Sequence, residues 1–467
     1  MSRPAVSLPI VTGVLRAIDG IGALSAGLCA LWWTRRGFAS PDAAMVLFGA
    51  LLAMNLLHFG GVYRRESVTQ LNASLSRCLA ATLQTAAVVV AAIYITGGSW
   101  GKSQQWLQAW FAAYLLFVLF SRVVAALQFR QWRAQGRLRQ VVAVVGAGPI
   151  GQALLRRLAA FSGADVQVVG VYDDRLSRLP TRCMGHPILG NVDALVGDLR
   201  TRRIDTVIVA LPLSADRRVG DILRKLRNAP VEVAMCGDLV GLRLGTIRPC
   251  QVGGVGLVSA VPRPLGGWSG VMKAVEDRVL AALILLLISP LMAAVALAIR
   301  LDSPGPVFFR QKRYGYNNRL IGVFKFRTMH HHAEDTNAEQ LTRRNDPRVT
   351  RIGAFLRRTS LDELPQFINV LRGEMSVVGP RPHALAAKAG GLLYPEAVKD
   401  YHARHRVKPG ITGWAQVNGW RGETETVEQI EKRVEHDLFY IDHWSLMLDL
   451  RIVLRTILGG FTGRNAF

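Results

Sequence analysis

Residues 279–299 read VLAALILLLISPLMAAVALAI, an apolar run long enough to cross a bilayer core. Both flanks are basic: Lys273 and Arg278 precede it, and Arg300, Arg310, Lys312 and Arg313 follow. Segments rich in Lys and Arg stay on the cytoplasmic side, so the two ends of this one run ask for the same side. Pro290 resolves the conflict, because it removes a backbone donor and disfavours helical geometry at Ser289. A re-entrant helix over residues 275–300, broken at Ser289–Pro290, would enter and leave on one face. The Ser289 hydroxyl can serve a backbone group freed by the break. The alternative is a straight spanning helix with a kink, which puts the last third of the chain on the opposite side.

Working outward toward the N-terminus, four more apolar stretches cover Ile10–Trp33, Ala43–Val62, Leu75–Thr96 and Trp106–Phe129. Each can span, and Trp32, Trp33, Tyr63, Trp100, Trp106 and Trp132 stand near their ends, where aromatic side chains favour the membrane interface. Arg64, Arg65 and Arg77 mark one loop as cytoplasmic, and Arg130, Arg133, Arg137 and Arg139 do the same after the fourth stretch, although Arg35 and Arg36 run against the pattern. Residues 1–132 therefore read as a four-helix transmembrane bundle. The first run lacks a small-residue cleavage site and is read as a retained span.

Over its 467 residues the chain is half hydrophobic, and 57 Lys and Arg against 33 Asp and Glu give a formal charge of +24. Basic residues clustered beside apolar runs point to a lipid bilayer and phosphorylated substrates, and nucleic acid is not expected as a partner. Five cysteines without CxxC spacing argue against a disulfide framework or a zinc site.

Residues 140–260 change character. QVVAVVGAGPIGQALLRRLAA is a buried strand, a glycine turn and an amphipathic helix, and further strand-like runs alternate with helical ones. This is a Rossmann-like α/β module. Gly146, Gly148 and Gly151 form G-x-G-x-x-G, with Asp173 after the next strand, which makes them candidate nucleotide-binding residues. The competing use of such a module is homo-oligomer contact or regulation.

Residues 270–467 carry the densest polar punctuation, with FKFRTM, DPRVTRIGAFLRRTSLDELPQFINVLRGEMSVVGPRP and KPGITGWAQVNG in order. Asp362 and Glu363 are adjacent carboxylates whose side chains would diverge by about 100 degrees on a helix, so they can divide labour as nucleophile and metal ligand. The bland alternative is helix capping, since Ser360 and Glu363 fit an S-x-x-E box. Arg357, Arg381, Lys325 and Arg327 are candidate phosphate-binding residues, and Pro380 and Pro382 fix the backbone on both sides of Arg381. His330, His331 and His332 are consecutive and cannot all face one ion.

These motifs resemble the polyprenyl-phosphate hexose-1-phosphate transferases, the bacterial sugar transferases. The resemblance implies a mainly helical, membrane-associated catalytic domain with a re-entrant helix, on the cytoplasmic face of the bacterial inner membrane. It implies that Asp362 attacks the β-phosphate of a UDP-hexose, expels UMP and passes the phosphosugar to undecaprenyl phosphate. Glu363 would bind Mg2+, Arg357 and Arg381 would hold phosphate, and Ser289–Pro290 would be the helix break. The C-terminal stretch is most similar to glucose-transferring members, with galactose as the alternative. A membrane-tethered nucleotide-sensing regulator and an NAD-linked oxidoreductase are the competing classes, and the second lacks a Tyr-x-x-x-Lys after the glycine motif.

Overall fold

The computed structural model describes residues 7–34, 40–63, 71–96, 100–162, 166–175, 180–212, 215–236, 248–252, 254–331, 346–420, 422 and 426–459. Arg35, Arg36, Arg64, Arg65 and His332 lie outside them. The chain divides into two compact units between Arg139 and Gln140. The second and third domains expected from the sequence thus form one unit.

The first unit holds α1 (Leu8–Trp33), α2 (Ser40–Phe59), α3 (Leu71–Ile95) and α4 (Trp100–Ala134). All four are long and apolar enough to cross a membrane, close to the stretches read from sequence. Each packs on two others, α1 on α2 and α4, α3 on α2 and α4, around Leu31, Val89, Trp110 and Val118. Between them, Asp19 pairs with Arg122 and accepts the Tyr63 hydroxyl at 2.7 Å. Such polar groups are tolerated among apolar helices only when they find one another.

The second unit starts with an eight-stranded sheet. Its strands are β1 (Gln140–Val145), β2 (Val166–Tyr172), β3 (Arg182–Cys183), β4 (His186–Gly190), β5 (Thr206–Val209), β6 (Glu232–Cys236), β7 (Arg248–Val252) and β8 (Val255–Val261), in the order 3-4-2-1-5-6-8-7. The five central strands are parallel, with the crossing-over order of a doubly wound fold. Helices α5 (Pro149–Ser162), α6 (Val192–Thr201) and α7 (Asp216–Leu226) complete it. Val142 and Val144 feed the core on one face of the sheet and Ala143 and Val145 the other, which is why β1 reads as an unbroken apolar run.

Next comes α8 (Trp268–Asp302), a fifth helix long enough to cross a membrane. It runs through Ser289–Pro290 as one continuous helix, so the expected break into two helices is not seen there. Pro290 cannot donate to the Leu286 carbonyl four residues back, and the Ser289 hydroxyl donates to it instead, at 2.9 Å. Leu283, Leu286, Leu287, Leu291 and Leu297 are exposed along its middle, while Lys273, Asp277, Ala281, Val295 and Ile299 are buried toward its ends.

A hairpin of β9 (Phe308–Tyr314) and β10 (Leu320–Phe326), helices α9 (Arg351–Thr359) and α10 (Gln366–Leu371), strand β11 (Ser376–Val378) paired in parallel with β12 (Gly410–Thr412), and helices α11 (Val427–Asp442) and α12 (Leu446–Gly459) build the rest. A buried polar network ties this platform to α8. Lys273 bonds Asp277 at 2.9 Å and Asp449 at 2.7 Å, and Asp277 accepts the Ser376 hydroxyl and the Val377 N–H.

Candidate active site

Strand β10 delivers the first cation. Asn369 on α10 is fully buried and acts as a substitute strand, accepting the Phe324 N–H and donating to the Gly322 carbonyl, both at 2.9 Å. That clamp fixes Lys325, whose Nζ stands 3.1 Å from Glu363 Oε1 and 3.6 Å from Asp362 Oδ2.

The carboxylates sit on a tight turn. Thr350 starts α9, its hydroxyl accepting the Gly353 N–H, and Ser360 ends it in the left-handed region at φ 57°. A short 3-10 turn, Leu361–Glu363, follows at once. The capping box considered from sequence does not form, because the Ser360 side chain caps nothing there and the Glu363 side chain turns to cations. Arg381 reaches Glu363 as a fork, Nη1 to Oε2 at 3.0 Å and Nη2 to Oε1 at 2.6 Å. The Gly379–Pro382 segment that carries Arg381 runs tightly against β12. A Cβ on Gly410 would lie 2.1 Å from the Gly379 nitrogen, so no other residue fits there.

These surroundings push the two acids apart. Burial raises the Asp362 carboxyl, and the neighbouring Glu363 charge adds to this against Lys325, Arg357 and Arg381. Burial also opposes the Glu363 charge, but Arg381 and Lys325 outweigh it and hold that carboxyl well below the usual range. Two carboxylates tuned in opposite directions are the signature of divided roles. Glu363 is the fixed anion that organises cations, and Asp362, 8% exposed, is the more basic group.

Of the other residues singled out from sequence, Arg357 lies close enough to Asp362 to support its charge, and its Nε donates to the Thr328 hydroxyl at 2.9 Å. Arg327 is a correction. It is 2% exposed, and its Nη1 and Nη2 donate to the carbonyls of Pro304 and Ser303, both at 2.6 Å, so those donors brace the end of α8. The glycine loop forms as read: Gly146 adopts φ 109°, and a Cβ on Gly151 would meet the Gly146 carbonyl at 2.0 Å. Asp173, however, is consumed by that loop's own frame. It accepts the Ala147 N–H and pairs with Arg175 and Arg218, leaving it no free face for a ribose. Among the described residues no group of three or more His, Cys, Asp or Glu could hold a metal by itself.

A second ring of charge went unread in the sequence. Arg404, 1% exposed, bonds Asp437 at 2.6 Å and the Arg381 carbonyl at 2.7 Å, and thus fixes the backbone from which Arg381 reaches Glu363. Arg433 and Asp437 share the buried side of α11 with Ile430, Val434 and Tyr440. Charges on the apolar stripe of an amphipathic helix are the signal that could have exposed them.

Residues 268–463 match the family model described as bacterial sugar transferase, and residues 58–236 match one described as CoA-binding domain. A protein of Escherichia coli K12 named UDP-glucose:undecaprenyl-phosphate glucose-1-phosphate transferase is 43% identical over 362 residues, 78% of this chain and 76% of that protein. An undecaprenyl-phosphate glucose phosphotransferase of Komagataeibacter xylinus is 35% identical over 98% of this chain and 86% of its own length. A Klebsiella pneumoniae protein named as the first one is 40% identical over 72% of this chain and 71% of its own. The matched family span begins at α8 and takes in the paired carboxylates and every cation around them, and with relatives this similar over most of their length the chain belongs to the bacterial sugar transferases.

Proposed function

We propose that this chain is an undecaprenyl-phosphate glucose phosphotransferase of the bacterial cytoplasmic membrane, working from the cytoplasmic face. An Asp362 carboxylate oxygen attacks the β-phosphorus of UDP-glucose, the bond from that phosphorus to the bridging oxygen breaks, and UMP leaves with the electron pair. A phosphate oxygen of undecaprenyl phosphate then attacks the same phosphorus, Asp362 leaves as carboxylate, and undecaprenyl-diphosphate-glucose is formed. The observation that carries this reading is the buried Asp362 beside a Glu363 that has gathered Arg381 and Lys325. A carboxylate held less acidic than usual is the better nucleophile, and cations fixed around it offset the repulsion it meets from a diphosphate.

Glu363, completed by the substrate's own phosphate oxygens, would hold Mg2+ as that ion is commonly held, by one or two carboxylates and phosphate, exchanging part of its present contact with Arg381 and Lys325 for the ion. When bound, such an ion adds positive charge at the transferring phosphoryl group.

A re-entrant α8 is part of the same reading. The Asn317 amide, after α8, donates to the Leu199 carbonyl, before it, at 3.0 Å, which residues on opposite sides of a bilayer could not do. Both ends of α8 also bond one platform, Asp277 to Val377 and Asp302 to the Ile352 N–H at 3.2 Å. The exposed leucines between them would lie in the inner leaflet. The glucose assignment draws on the names of the relatives. A membrane assay offering labelled UDP-glucose and UDP-galactose with undecaprenyl phosphate tests both points. UMP release and lipid labelling from UDP-glucose are expected, and neither appearing with any UDP-hexose would sink the reading.

A further inference from the structure

One buried guanidinium ties together the two residues on either side of Pro382. Arg404, 1% exposed, donates from Nη2 to the Arg381 carbonyl and from Nη1 to His383 Nδ1, both at 2.7 Å. Its Nε and Nη2 also reach Asp437 Oδ2 on α11, at 2.9 and 2.6 Å. An arginine can only donate, so His383 Nδ1 presents a lone pair and the ring proton stands on Nε2. Burial, with Arg404 and Arg433 beside it, keeps the ring neutral, the form in which that lone pair is free to accept. His383 is 6% exposed. Its polar contacts among the described residues are Tyr401, Arg404 and Arg433, and neither Asp362 nor Glu363 is one of them.

The tie bears on the site through the backbone. Gly410 on β12 donates to the Pro380 carbonyl at 3.0 Å, and the next carbonyl, that of Arg381, is held by Arg404. From that fixed point the Arg381 side chain forks onto both oxygens of Glu363, at 3.0 and 2.6 Å. Asp437 serves Nε and Nη2 of Arg404, and His383 supplies the acceptor for Nη1. Without that acceptor a buried charged donor is left unmade, and the fork gains by turning away from the Arg381 carbonyl to find another. A displacement of about 1 Å at a positioned charge is enough to cost on the order of 100-fold in rate.

On the reading that Asp362 and Glu363 carry the transfer, we propose that His383 is a positioning residue: its Nδ1 holds the Arg404 fork against the Arg381 carbonyl and thereby sets the reach of Arg381 to Glu363.

The test uses the full chain in lipid nanodiscs, with H383N and H383L made alone and H383L also made in an R381Q background. Asn and Leu share one branched outline and leave the same space where the ring was, but only Asn keeps an acceptor at the Nδ1 position. Initial UMP release from UDP-glucose is measured per folded molecule. H383L should lower kcat/KM by ~30-fold and H383N should stay within ~3-fold of wild type. In the R381Q background H383L should cost less than ~3-fold more, because the residue it acts through is already gone. A merely structural histidine would lower the folded fraction of both variants alike and leave the rate of the folded molecules unchanged. H383L and H383N within ~3-fold of each other, or a full ~30-fold loss from H383L with Arg381 absent, would overturn the proposal. If R381Q leaves no measurable rate, the comparison of H383L with H383N decides alone. Should H383L not fold, H383Q takes its place, since its amide lies one bond beyond the Nδ1 position. Undiminished UMP release by D362N would strike the transfer reading itself, whereas equal H383L and H383N beside an inactive D362N strikes only the role of His383.

Discussion

Lys325→Met keeps the stem that packs in β10 and deletes the ammonium 3.1 Å from Glu363 and 3.6 Å from Asp362. At that spacing and an effective dielectric near 20, its attraction for the Asp362 charge is about 4 kcal/mol. Water and side-chain relaxation in the variant recover part of this, and half the figure, about 2 kcal/mol, is a fair estimate of what remains lost. The direction follows from chemistry. Burial already raises the Asp362 carboxyl, with Lys325 the foremost cation opposing it, so removing Lys325 raises it further. Asp362 attacks only when ionised, so activity falls as pH drops through its titration. At about 1.4 kcal/mol per pH unit, the acidic limb of UMP release should climb by about 1.5 pH units, with much of the rate regained at alkaline pH. The assay is the initial rate of UMP release from UDP-glucose across the acid-to-alkaline range, for wild type and variant. A limb that stays in place while the rate falls equally at every pH would refute this reasoning and make Lys325 a contact for phosphate alone.

The adjacent acids should respond oppositely when neutralised. Asp362, raised by burial, favours the folded state most when protonated and loses that contribution as pH rises through its titration, so Asp362→Asn should be inactive yet about 1 kcal/mol more stable at mildly alkaline pH. Glu363, held low, contributes stability above the ordinary carboxylate range that is lost as pH falls. Glu363→Gln strands Arg381 and Lys325 and should cost about 3 kcal/mol at the same pH. Thermal unfolding of both proteins checks the pair, and shifts of the same sign would contradict it. Arg327→Ala should cost about 3 kcal/mol through the unmade carbonyls of Ser303 and Pro304, while kcat/KM of the folded fraction stays within about threefold, and a selective rise in KM for UDP-glucose would restore it as a phosphate contact.

Much of this fold could be read from periodicity alone. The apolar runs became α1 to α4 and α8, and the alternation after Gln140 became a doubly wound sheet, because length and period are local properties. Asp362 and Glu363 stood out as adjacent acids and the resemblance implied a role for each, but the residues alone do not say which of the two gathers the cations. Which acid takes the cations depends on Arg381 arriving from beyond β11 and Lys325 from β10. The partners of Arg327 were not legible, because it stands just past the end of β10 and donates to carbonyls at the end of α8 that only the fold brings to it. Asp173 follows β2 where a ribose-binding acid would stand, and it is paired with Arg175, two residues on, and with Arg218 from α7. The Arg404–Asp437 pair and Arg433 were hidden by sequence separation, since only folding brings α11 behind Arg381.

The central claim is that Asp362 carries the phosphosugar. Wild-type protein in nanodiscs, given UDP-glucose without undecaprenyl phosphate and digested after acid quench, should yield the peptide containing Asp362 with a hexose-phosphate adduct, and adding undecaprenyl phosphate before the quench should discharge it. UMP release without any adduct on that peptide, or the same adduct in Asp362→Asn, would contradict the account.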